Sequence, residues 1–188
     1  MSQIEIRKVV SRRDLRQFIE FHYDLYEGNA YDVPNLYSDE VNTLSQDRNA
    51  AFDFCEAEYY MAFRDGRMVG RVAAIINHRA NERWQTKSVR FGWIDFVDDE
   101  EVSRALFKAV EDYGRSHGMT EMVGPLGFTD MDPEGIAKLS TNCSYGPFGS
   151  TADKCIVSFR SIIFSTLSVS INSISINRNA HSKNCDTT

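Results

Sequence analysis

The sequence predicts an α/β (α+β) fold, a mixed sheet flanked by helices, and three consecutive features predict it. Two apolar runs, residues 59–64 and 67–77, flank Asp65-Gly66, a pair suited to the turn of a tight antiparallel hairpin. A third apolar run over 89–97 is a further strand. It passes without a spacer into 99–118, where Val102, Leu106, Ala109, Val110 and Tyr113 recur on one helical face.

The remaining elements follow in chain order. Residues 4–10 alternate polar and apolar side chains and read as a first strand. Ser11 stands three residues before Asp14, a capping-box-like helix start, and Leu15, Phe18, Ile19, His22, Leu25 and Tyr26 continue at helical spacing to Gly28. After a loop containing Pro34, a second helix is expected from a Ser38 cap to about Ala50. Residues 119–124 form a last strand ended by Pro125. The order βααβββαβ is that of helices layered on a sheet.

Composition narrows the function. A chain of 188 residues with 42% hydrophobic side chains supports one domain plus an extra segment. A net charge of −6 gives no basic stripe for a nucleic-acid partner. The N-terminus has no secretory pattern and no apolar run is long enough to span a membrane, so a cytoplasmic protein without a membrane partner is expected. Cys55, Cys143, Cys155 and Cys185 show no CxxC spacing, and no two histidines share ligand spacing, so neither disulfides nor a metal site is expected.

A seam lies near residue 135. Residues 1–135 carry 16 Lys+Arg and 25 Asp+Glu, whereas 136–188 carry 5 and 2, with 11 serines. Serine or asparagine alternates with Leu, Val and Ile in this tail, which fits an edge strand or hairpin over 156–176. The abrupt change also fits a segment that is non-native to the upstream domain or out of frame, and both readings stand. The expected division is therefore 1–135 and 136–188.

Asp95 is the leading functional candidate. It interrupts an apolar strand in phase with Phe91, Trp93 and Val97, where a carboxylate is costly unless it is paired or working. Pairing with a neighbouring amide, Arg71 or Arg90 is the structural alternative. Tyr59 and Tyr60 are packing residues or proton donors. Glu56, Glu58 and the run from Asp98 to Glu101 are solvated carboxylates or a rim that attracts a cationic amine. His22 reads as a surface or hydrogen-bonded histidine of the first helix, and His117 complements a helix C-terminus.

The hairpin phrase YMAFRDGRMVGRV (60–72), followed by FGWIDF (91–96), Asp98-Asp99, Gly118-Met119-Thr120 and Gly124-Pro125-Leu126-Gly127-Phe128, resembles the GCN5-related N-acetyltransferase superfamily, in an uncharacterised bacterial branch. The resemblance covers about residues 3–135. It implies an acyl-CoA N-acyltransferase-like sheet in which the C-terminal part of the fold is missing or replaced, so that the chain is a truncated copy. It also implies acetyl-CoA as co-substrate. The backbone of Trp93, Ile94, Phe96 and Val97 would hold the pantetheine, and the following helix N-terminus, with Ser103 and Arg104, the pyrophosphate.

Asp95 would be the general base for an attacking small-molecule or peptide amine. The superfamily's phosphate loop, [Arg/Gln]-x-x-Gly-x-[Gly/Ala], departs here: its first position falls on Asp98, its first glycine on Glu101 and its last small residue on Ser103. Carboxylates at those places stabilise a helix start but repel an anion. Two functions follow: an N-acetyltransferase, or a non-catalytic acetyltransferase-like module or inactive fragment that self-associates or pairs with a second such domain.

Overall fold

Local chemistry starts the first helix where the sequence places it. The Ser11 hydroxyl accepts the Asp14 N–H at 3.1 Å, and the Asp14 carboxylate accepts the Ser11 N–H at 3.0 Å. These bonds satisfy donors that would otherwise be orphaned in the first turn. The computed structural model describes residues 3–30, 32–129, 131 and 132. The expected tail from residue 136, its strand over 156–176, and Cys143, Cys155 and Cys185 lie outside the described residues.

In chain order the elements are β1 (Glu5–Lys8), α1 (Arg12–Leu25), α2 (Tyr37–Leu44), a 3₁₀ turn (Ala50–Asp53), β2 (Cys55–Arg64), β3 (Arg67–Asn77), α3 (His78–Trp84), β4 (Ser88–Phe96), α4 (Glu100–Ser116) and β5 (Glu121–Val123). The strands form one mixed sheet in the order β1-β2-β3-β4-β5. Neighbours are antiparallel except β4 and β5, which the α4 crossover makes parallel. The hairpin turn has φ 51° at Asp65 and 78° at Gly66, as a primed turn requires.

Two elements differ from the sequence reading. The second helix starts after Leu36 with no side-chain cap, not at a Ser38 cap, and ends at Leu44, not near Ala50; a 3₁₀ turn over Ala50–Asp53 follows, capped by Asn49. The seven-residue α3 was not expected; it buries no side chain and is started by the Asn77 side chain accepting the Ala80 N–H at 2.8 Å.

Each sheet face carries its own core. Val72, Ala74 and Ile76 of β3 and Val89, Phe91 and Ile94 of β4 pack with Val102, Leu106, Val110 and Tyr113 of α4. On the opposite face, Ala73 and Ile75 pack with Phe18 and Ile19 of α1, Leu44 of α2 and Phe128. Burying a side chain such as Leu106 completely is worth about 1.5–3 kcal/mol. Cys55 is a buried thiol of the second core, and burial pushes its pKa to about 11.

Candidate active site

The site begins with a defect in β4. Between the pairs Ala73↔Gly92 and Arg71↔Asp95, β3 advances by two residues while β4 advances by three. This is a β-bulge, and it leaves Trp93 and Ile94 outside the β3 ladder. Trp93 takes φ 45°, a left-handed conformation that costs a non-glycine residue about 1–3 kcal/mol unless its surroundings hold it. Two contacts hold it here: Nε1 donates to Glu40 Oε2 at 2.9 Å, and the ring packs on Phe128 with centroids 5.7 Å apart.

The bulge reverses the phase of the strand. Phe91 faces α4, yet Trp93 packs with the core under α1 and α2, and Asp95 meets side chains of α1. The expectation that Asp95 shares a face with Phe91 is corrected by that one extra residue.

Asp95 is nearly buried and bonded on several sides. Arg71 approaches Oδ2 through Nε at 2.8 Å and Nη2 at 2.7 Å, His22 Nδ1 lies 3.2 Å from Oδ2, and the Tyr26 hydroxyl donates to Oδ1 at 3.3 Å. Burial pushes the Asp95 pKa up, but the His22 hydrogen bond and the Arg71 charge prevail and hold it below the ordinary carboxylate range. Burial, and then the Asp95 charge, push the Tyr26 phenol to about 12. Arg71 also donates to the Phe18 carbonyl at 2.9 Å, which locks α1 to the sheet. On its far side, His22 Nε2 lies 3.5 Å from Asp32 Oδ1.

These groups open on a cavity of about 140 Å³ lined by Ile19, His22, Tyr23, Glu40, Trp93 and Asp95, among others. Beyond it a shallow groove of about 470 Å³ runs between Leu25–Asn29 and Phe96, Val97 and Asp98. The side of β4 facing β5 is open here as well. Their pairing ends at Arg90↔Val123, followed by the Leu126 N–H to the Phe91 carbonyl at 2.8 Å. Thus the backbone of Trp93 and Ile94 lies outside both ladders, whereas Phe96 pairs with Gly70 and the Val97 N–H bonds the Val69 carbonyl at 3.0 Å.

The start of α4 is different. Asp99 Oδ1 accepts the amides of Glu101 at 2.9 Å and Val102 at 3.4 Å, and Arg64 reaches both Asp99 and Glu101. Ser103 is buried with its hydroxyl donating to the Glu100 carbonyl at 3.0 Å, and Arg104 pairs with Glu100. Free amides and positive charge are what a pyrophosphate needs, and this helix end has filled both with its own side chains. Tyr59 lies in the core and donates to the Leu44 carbonyl, while Tyr60 donates to Glu58; neither lines the cavity.

The fold as a whole has a counterpart among solved structures. A tandem GNAT protein from the clavulanic acid biosynthesis pathway superposes with a TM-score of 0.50 at 15% identity, over 71% of this chain and 40% of that one. The fold is that of the GCN5-related N-acetyltransferases. No family model matches the chain. Protein YghO of Escherichia coli K12 is 30% identical over 131 residues, 70% of this chain and 33% of its own length. The bacterial ceramide synthase of Caulobacter vibrioides is 28% identical over 136 residues, 72% of this chain and 35% of that protein. The chain spans about a third of the length of these curated relatives. Among the described residues, no helix of this GNAT fold is long and apolar enough to cross a membrane.

His22, Tyr26 and Glu40 complete a site of which the sequence had singled out Asp95, the neighbouring backbone and, as the partner of Asp95 in the structural alternative, Arg71, which does pair with it. Helical spacing placed His22 on α1, but only the packing of α1 across β4 brings it to Asp95, 73 residues away.

Proposed function

We propose that this chain carries the reaction centre of an N-acyltransferase, which moves an acyl group from a pantetheine thioester to an amine. The observation that carries this reading is the His22–Asp95–Arg71 network beside the unladdered backbone of Trp93 and Ile94, all at one cavity. The thioester supplies the acyl carbon, and its sulfur leaves with the bonding electron pair as the carbon–nitrogen bond forms. Asp95, held ionised by Arg71, is the acceptor of the amine proton, and His22, bonded to it through Nδ1 with Nε2 turned to Asp32, orients the carboxylate. The backbone at the bulge offers hydrogen bonds to an extended donor, as an open sheet edge does.

The donor that the family resemblance implies is acetyl-CoA. The edge of β4 fits its pantetheine, and the start of α4 does not fit its pyrophosphate, because Asp99 and Arg64 close that end. The name of one relative, a ceramide synthase, is consistent with amide formation on an amine, since ceramides are such amides.

The self-closed α4 terminus favours a second reading, a non-catalytic GNAT-like module that pairs with another domain. Thiol release from acetyl-CoA and longer acyl-CoA thioesters, with a panel of amines, separates the two. Under the first reading the full chain releases thiol only with an amine present, and Asp95→Asn lowers turnover about 10²–10⁴-fold while donor binding persists. Unchanged turnover in Asp95→Asn removes the network from catalysis. If no amine supports thiol release while acetyl-CoA still raises the melting temperature, the binding module is favoured.

A further inference from the structure

One buried charge in the cavity is left unused by this chemistry. Glu40, in the first turn of α2, is only 7% exposed. Its Oε1 accepts from Asn35 Nδ2 at 2.8 Å, and its Oε2 accepts from Trp93 Nε1 at 2.9 Å. Both oxygens therefore act as acceptors, the arrangement that suits an ionised carboxylate. Both donors are neutral. Among the described residues, no cationic side chain forms an ion pair with Glu40.

The cation nearest in role, Arg71, lines the same cavity but is committed to Asp95 and to the Phe18 carbonyl. A buried carboxylate without a counter-charge is costly, and neutral hydrogen bonds offset that cost only in part. Tyr23, also in the cavity wall, has its phenol pKa raised first by burial and then by the Glu40 charge.

We infer that Glu40 binds the positively charged ammonium of the acceptor, and that the acceptor is a narrow-headed primary amine with no carboxylate beside its nitrogen. This rests on the N-acyltransferase reading. The cavity selects the class. At about 140 Å³ it holds a small polar head and excludes a bulky one. An alkylamine is protonated near neutral pH and brings the missing charge. An α-amino acid would bring a carboxylate as well, which would face Glu40 and Asp95 with Arg71 already committed. Trp93 links the subsite to the reaction centre, because the residue that forms the bulge is the one that orients Oε2.

The test is direct binding of n-hexylamine, 1-hexanol and norleucine to the full chain by calorimetry, with Glu40→Gln alongside and a thermal melt of each protein. Hexylamine should bind at least tenfold more tightly than either hexanol or norleucine. Glu40→Gln should weaken hexylamine at least tenfold and leave hexanol unchanged. Equal affinity for hexylamine and hexanol overturns the inference. So does a Glu40→Gln protein that is less stable and binds hexylamine as before, since Glu40 would then be structural. Because the readout is binding, amine recognition without thiol release would sink the acyltransfer reading alone. Thiol release with a KM for amine indifferent to Glu40→Gln would sink this inference alone.

Discussion

The start of α4 and the cavity at the β4 bulge both collect carboxylates, and they treat them in opposite ways. At the helix end the charges are consumed locally: Asp99 caps the amides of Glu101 and Val102, Arg64 bridges Asp99 and Glu101, and Arg104 takes Glu100. In the cavity Asp95 has Arg71, yet Glu40 is met only by neutral donors. A count of acidic residues would favour the helix end as the functional region. Burial and residual charge favour the bulge, because water screens the exposed cluster and does not screen Glu40.

The largest expected effect comes from removing the cation that balances the cavity. Arg71→Met leaves Asp95 buried without its partner and takes a donor from the Phe18 carbonyl, so urea denaturation should show a loss of about 3–5 kcal/mol. Asp95→Asn on top of it should restore part of that loss. Arg64→Met, at the exposed helix end, should cost a small fraction of the Arg71 value. Equal losses at the two arginines would erase the distinction between the regions.

The next effect is steric. Gly92 precedes the bulge, and a Cβ there would lie 2.6 Å from the Leu126 carbonyl oxygen, a backbone atom that cannot swing aside. Gly92→Ala should cost about 1–3 kcal/mol and open the crossing of β4 by residues 126–128 that carries Phe128 beneath Trp93. A neutral result by denaturation would show that this crossing is not tightly set. Gly66→Ala, in a turn with open space around it, tests conformation instead of packing, since only φ 78° opposes it.

Periodicity carried most of the fold and little of the site. The Ser11 cap, the Asp65-Gly66 turn and the apolar face of α4 are local signals within a few residues, so they were legible. The bulge was not. Gly92 is the one local hint of it, since a glycine inside a strand often marks a bulge, but it does not say how many residues are inserted. That single insertion moves Asp95 to the α1 face, because side chains alternate with a period of two. His22 and Glu40 could be read only as helix residues, since what joins them to β4 is packing across 73 and 53 positions of sequence. The short α3 escaped because it buries nothing, which leaves no apolar stripe to read.

The smallest effect is a slope, and it separates the two regions by salt. Asp95 and Asp99 both have pKa values below the ordinary carboxylate range. A carboxyl depressed in the folded state binds fewer protons there than when unfolded, so it adds stability above the unfolded value of about 3.9 and loses it as pH falls through the folded value. Stability should therefore fall on acidification below about pH 4, and Asp95→Asn and Asp99→Asn should each flatten that fall. In about 1 M salt the Debye length shrinks to about 3 Å, which weakens the Arg64–Asp99 pair at the surface far more than the Arg71–Asp95 pair. Denaturation curves at pH 2–4 in low and high salt should then show the Asp99 difference fading while the Asp95 difference persists. If salt abolishes both equally, the cavity pair is as well hydrated as the helix end, and the case for a low-dielectric reaction centre at the bulge fails.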